Sequence, residues 1–205
     1  MSTGLSARVR RIGNRKTLVR AIRIDSDLDK TLQKVAQSKG LTYNSLISAI
    51  LSRFTEWDNQ TDAFGFAELP QELLRELLSI DSTTEIEEVG KALGPRLLKE
   101  MLEFWYKRAS VETFFRYAGL LSKYSGLARI SIEFEDGEYS LTYRHQLGEK
   151  WSRFIASYYG EALRVLFGAQ SKVDLGPNQV ILRWTLMGRN ARILLEEAER
   201  QPSRT

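Results

Sequence analysis

About forty residues near the start of this chain carry apolar stripes that one copy of so small a segment rarely buries by itself. Thr17 to Ile24 reads as a strand: Leu18, Ile22 and Ile24 share one face by period two, and Thr17, Val19, Ala21 and Arg23 the other. Arg20 breaks the apolar face; either it snorkels to solvent or a phosphate, or the strand is shorter. A helix follows, capped by Asp25 or Ser26, with Asp27 and Asp29 favourably placed in its first turn. Leu28, Leu32, Val35 and Ala36 form its apolar stripe, and Gly40 stops it. After Leu41, Thr42 caps a second helix carrying Leu46, Ile47, Ile50, Leu51, Phe54 and Trp57 on one face. A lone strand also leaves its edge unpaired. Two copies of the strand paired antiparallel, with four helices interlocked, remove both problems. The segment therefore predicts an obligate dimer.

The string Ile22-Arg23-Ile24-Asp25-Ser26-Asp27-Leu28, the junction Gly40-Leu41-Thr42-Tyr43-Asn44-Ser45-Leu46-Ile47 and the helix lengths between them resemble the ribbon-helix-helix repressors of the Arc/MetJ/CopG group. The resemblance covers residues 17–57 only. It implies a two-stranded ribbon in the major groove of double-stranded DNA, whose outward side chains read base edges. Those positions are Val19, Ala21 and Arg23. Arg23 has the fork that suits guanine O6 and N7, while Val19 and Ala21 depart from the family's polar pattern and suit thymine methyls or a weak base readout. The resemblance also implies a phosphate at the start of the second helix, held by the amides around Tyr43 and Asn44 and by the Thr42 hydroxyl. Thr42 serves equally as an ordinary N-cap. Arg20, where it snorkels to a phosphate, would be a further contact of that kind.

Charge separates along the chain. Residues 1–24 hold seven of the 30 basic side chains and no acidic one, leaving 23 basic against 26 acidic in the rest. Arg8, Arg10, Arg11, Arg15 and Lys16 form a basic arm over residues 1–16, the electrostatic footprint of a polyanionic partner. A solubilising tail or an Arg-rich transit peptide are the other readings of such a composition. The arm would add phosphate or minor-groove contacts. The chain has no cysteine and one histidine, which excludes disulfides and thiolate metal sites, disfavours a nickel-type sensor and suits a reducing cytoplasm; DNA binding would make such a cytoplasmic protein nucleoid-associated. No apolar run reaches the length of a membrane span.

Asp58 to Gly65 lose the apolar period, so residues 59–66 read as a linker between a 17–58 module and a second domain at 67–187. Pro70 opens a helix running to about Ile80, Ser82 and Glu85 form a capping box, and Gly94-Pro95 should interrupt or kink the next helix before it continues to about Arg108. A further helix spans Val111 to Ser122. Then the period becomes two: Ile130, Ile132 and Phe134, a turn at Asp136-Gly137, and Tyr139, Leu141 and Tyr143 on the return. An amphipathic helix from Gly148 to Phe167 and a second hairpin through Gly176-Pro177-Asn178 complete a ββαββ order. The whole is α+β: a ribbon-helix-helix module, then a mainly helical and ββαββ domain. Residues 188–205 form a short charged helix, Asn190 to about Arg200, and a tail.

The second domain shows no phosphate-cradling loop, metal-ligand pair or nucleophile motif. His145 shares strand parity with Tyr139, Leu141 and Tyr143, as a core or rim histidine rather than a general base. Glu85, Glu87 and Glu88 read as a solvated helix start. The aromatics Phe104, Trp105, Tyr106, Phe114, Phe115 and Tyr117 are packed core by default, with an effector pocket as the alternative. The expectation is a non-enzymatic, cofactor-free transcriptional regulator that binds operator DNA as a homodimer. Its second domain senses a small-molecule effector or assembles dimers further. The alternative is a DNA-organising or partition protein with little sequence preference. An antitoxin-like role is disfavoured, because it needs only a short partner-binding tail.

Overall fold

The computed structural model describes residues 18–80, 82–135 and 137–185. They divide into two compact units that separate between Ala49 and Ile50. In the first unit, residues 18–25 form neither helix nor strand, although the alternation predicts a strand over 17–24. A strand is defined by its ladder of inter-strand hydrogen bonds, and among the described residues this segment has no such partner. Helix α1 (Ser26–Ser38) and helix α2 (Tyr43–Arg53) stand where the apolar spacing predicts them.

The division between the two compact units falls inside α2. Helix α2 continues into a π-helical turn, Phe54–Asp58, and then α3 (Asn59–Phe64), which ends at Gly65 in the left-handed region (φ 89°). The expected linker is thus largely helical. Its ordering has a packing cause: Trp57 is buried, and Phe64 packs edge-on against Phe104 at 5.3 Å. The Thr61 hydroxyl donates to the carbonyls of Asp58 and Trp57. A helix of six residues is too short to show a hydrophobic period.

The second unit continues with α4 (Gln71–Ile80), α5 (Thr83–Tyr106), α6 (Val111–Tyr124), β1 (Arg129–Glu135), β2 (Glu138–Arg144), α7 (Glu149–Phe167), β3 (Ser171–Gly176) and β4 (Gln179–Trp184). The expected α+β composition is present, and both hairpins pair as the alternation predicts. The sheet is antiparallel in the order β1-β2-β4-β3. Ile132, Leu141 and Leu182 lie side by side across three strands, as do Ile130, Tyr143 and Val180. That face is covered by α6 over β1 and by α7 over β3 and β4, and α5 lies along α7. Fully buried Leu98, Leu102, Phe114, Leu163 and Leu182 form the centre of the core.

Pro95 does not interrupt α5, which runs unbroken from the Ser82–Glu85 capping box to Lys107. The pairing with α7 explains both residues of the Gly94-Pro95 step. A Cβ on Gly94 would sit 2.1 Å from the Tyr158 carbonyl oxygen, and one on Gly90 2.8 Å from that of Phe154. Two glycines four apart open a notch into which the backbone of α7 fits. Burial of Ile86, Leu98, Met101 and Leu102 on α5 then offsets the hydrogen bond that proline cannot donate.

Candidate nucleic-acid interface

In the first unit, α1 is capped by Asp25, whose carboxylate accepts from the amide of Asp27 at 2.8 Å. It ends in a paired motif: the Gly40 amide donates to Gln37 and the Leu41 amide to Ala36, with Gly40 at φ 63°. Thr42 then caps α2, its hydroxyl accepting from the Ser45 amide at 3.1 Å and its carbonyl from the Leu46 amide at 3.0 Å. Among the described residues the amides of Tyr43 and Asn44 have no acceptor. That leaves two donors at the positive end of the helix dipole. The Tyr43 hydroxyl makes no hydrogen bond of ordinary length, yet the nearby Asp29 carboxylate raises its pKa.

The segment before α1 is exposed on both faces. Val19 is 96 % exposed, Leu18 78 % and Ile22 70 %, so apolar groups stand in water on each side of it. Ala21, Arg20 and Arg23 are exposed too, and neither arginine forms an ion pair among the described residues. Thr42, Tyr43 and Asn44 are brought together at the start of α2, while Val19, Ala21 and Arg23 lie along the extended segment. The basic residues Arg8, Arg10, Arg11, Arg15 and Lys16 fall outside the described residues, as does the expected helix from Asn190.

The apolar stripe expected on the second helix divides. Leu46 is buried, Ile50, Leu51 and Phe54 are more than two-fifths exposed, and Trp57 enters the core of the second unit beside Trp105, Tyr117 and Tyr124. In that unit His145 is buried. Its Nε2 lies 2.9 Å from the Ser152 hydroxyl, and its Nδ1 accepts from the Leu147 amide at 3.1 Å. Accepting at Nδ1 fixes the Nε2-H tautomer, and burial lowers the pKa. Both ring nitrogens are engaged, and the ring ties the loop at Leu147 to Ser152 in the first turn of α7. Of the expected aromatic cluster, Phe114 and Tyr117 are fully packed, and Trp105 contacts the rings of Trp57, Phe64, Phe66, Phe104 and Tyr117. Among the described residues no set of three His, Cys, Asp or Glu is placed to hold a metal, and no helix is long and apolar enough to cross a membrane.

No family model matches the chain, and no curated protein matches it.

Proposed function

We propose that the chain is a sequence-specific regulator that binds double-stranded DNA as an intertwined homodimer. Residues 17–24 of two copies pair into a ribbon for the major groove. The observation that carries the reading is the exposed segment before α1: an alternating apolar sequence, unpaired, leading into two tightly capped helices. Pairing with a second copy would supply the missing strand edge and cover Leu18, Ile22 and Ile24. Arg23 then reads a base, Val19 and Ala21 contact thymine methyls, and the free amides of Tyr43 and Asn44 with Thr42 hold a phosphate; Arg20 and the arm add phosphate contacts. The second unit senses a ligand or assembles dimers, without catalysis, in the cytoplasm at the nucleoid.

The apolar character of Val19 and Ala21 favours a second reading, a DNA-organising protein with little sequence preference. Selection from a random duplex library at near-physiological salt separates the two. Enrichment of a short repeated or palindromic site, held about 10³-fold or more over random DNA, identifies the regulator. Binding without enrichment identifies the organiser, and no binding by a confirmed dimer rejects both. On the enriched site, Arg23→Ala costs about 1–3 kcal/mol if Arg23 reads a base. An equal loss on all sequences makes it a phosphate contact.

A further inference from the structure

We infer that the second unit holds a binding pocket for a small aromatic carboxylate, built around Trp57 and Arg53. The inference does not depend on DNA binding. The cavity is about 340 Å³, within the range of small-ligand sites, and its apolar wall is made by Trp57, Phe66, Leu69, Leu121 and Tyr124. Trp57 meets Phe66 edge-on at 5.8 Å and lies 6.3 Å from Tyr124, so the rings form a fixed floor. The π-helical turn is what delivers Trp57 to it. At the mouth Phe66 is 41 % and Leu69 52 % exposed, apolar surface that a bound ring would cover.

Arg53 supplies the polar anchor. Its Nε donates to both carboxylate oxygens of Asp58, at 3.0 and 3.3 Å, and its guanidinium carbon lies 6.0 Å from the centre of the Tyr124 ring. Asp58 and Tyr124 therefore hold the guanidinium in place. Its two terminal nitrogens make no hydrogen bond among the described residues. Two parallel N–H groups on a fixed guanidinium match the two oxygens of a carboxylate. The lining hydroxyls are already engaged: Thr61 donates to Trp57 and Asp58, and Ser125 donates to Leu121 and accepts from the Leu127 amide. The other charged lining group is Glu68, which is exposed and, like Asp58, opposes an anion, so preference for a carboxylate rests on the two open N–H groups of Arg53 and not on net charge.

Two other cavities of this unit lack that combination. The cleft beside β3 has no aromatic ring in its wall, and its Lys91, Arg153 and Arg164 are each paired with a glutamate. The groove between α6 and β1 has no cation in its wall.

The test is calorimetric titration of the full chain with 2-naphthoate and with its uncharged carboxamide. The expected result is binding of the carboxylate at about 1 mM or tighter, with a preference of about tenfold over the amide. Arg53→Gln removes the preference for the carboxylate over the amide, Phe66→Ala weakens both ligands, and Glu68→Gln strengthens the carboxylate. Phe134→Ala, in the groove beside β1, changes neither. Equal affinity for the two ligands overturns the carboxylate assignment. No binding of either, or binding indifferent to Arg53→Gln and Phe66→Ala, overturns the pocket. Circular dichroism of each variant confirms the fold, since Arg53 and Phe66 are both partly exposed.

Discussion

At the scale of single residues, the side chains with the most definite surroundings are those that no surface function claims. His145 is the clearest: buried, bonded at both ring nitrogens and with its pKa lowered by loss of solvent. Its folded pKa lies below the ordinary 6.5, so its contribution is fully present above pH 6.5 and is lost as the pH falls through the folded value. Thermal melts of the wild type should lose stability on acidification from about pH 7 to 5 more steeply than those of His145→Gln, where the proton-linked part is gone. Equal slopes would show that the ring is solvated. Strand parity in the sequence already assigns His145 to the core or rim. Its bond to Ser152 was not legible, because it joins a loop to the first turn of α7 and no local spacing encodes it.

Among the elements, the pairing of α5 with α7 is the most tightly specified, and two glycines specify it. Gly94→Ala drives a methyl group into the Tyr158 carbonyl, where rigid backbone faces the helix and no flexible side-chain end can give way. Overpacking of this kind costs about 1–3 kcal/mol, and a shift of α7 would raise it. Gly119→Ala on α6 meets open space and gives the control, changing stability only by what helix propensity causes. Urea melts of the two variants measure the difference. The sequence marks Gly94-Pro95 as a break, since both residues are poor helix formers, and that reading fails because tertiary packing outweighs propensity. The Ser82–Glu85 capping box, the amphipathic helix at Glu149–Phe167 and both hairpins were legible, each written in a local period or a turn pair. The π-turn and α3 were not. Their order comes from Trp57 and Phe64 meeting aromatic rings some forty to sixty residues further along the chain.

For the molecule as a whole, charge is the property that a polyanion would sense. Deleting residues 1–16 removes Arg8, Arg10, Arg11, Arg15 and Lys16 and no acidic group. If the arm lies on DNA, the salt dependence of binding falls by about 0.9 log units per log unit of salt for each phosphate that the arm no longer neutralises. Sedimentation of the same variant should still show the proposed dimer, since the arm is outside the 17–57 segment. An unchanged salt slope would assign the arm's charge to solubility. The candidate DNA-binding groups at 19–23 and 42–44 follow from spacing and resemblance, and the structure adds their exposure and the open amides of α2. The Arg53–Trp57 pocket was hidden, because its wall comes from α2, the π-turn, α6 and the stretch around Phe66. The notch at Gly90 and Gly94 bears on motion as well as on stability. A helix seated between two such gaps cannot slide along its neighbour without driving Cβ atoms into carbonyls, so gradual shear is closed to this pair. Whatever rearrangement a ligand or partner provokes in the second unit must lift α5 from α7 as one body or leave the joint intact, in the manner of a keyed mortise.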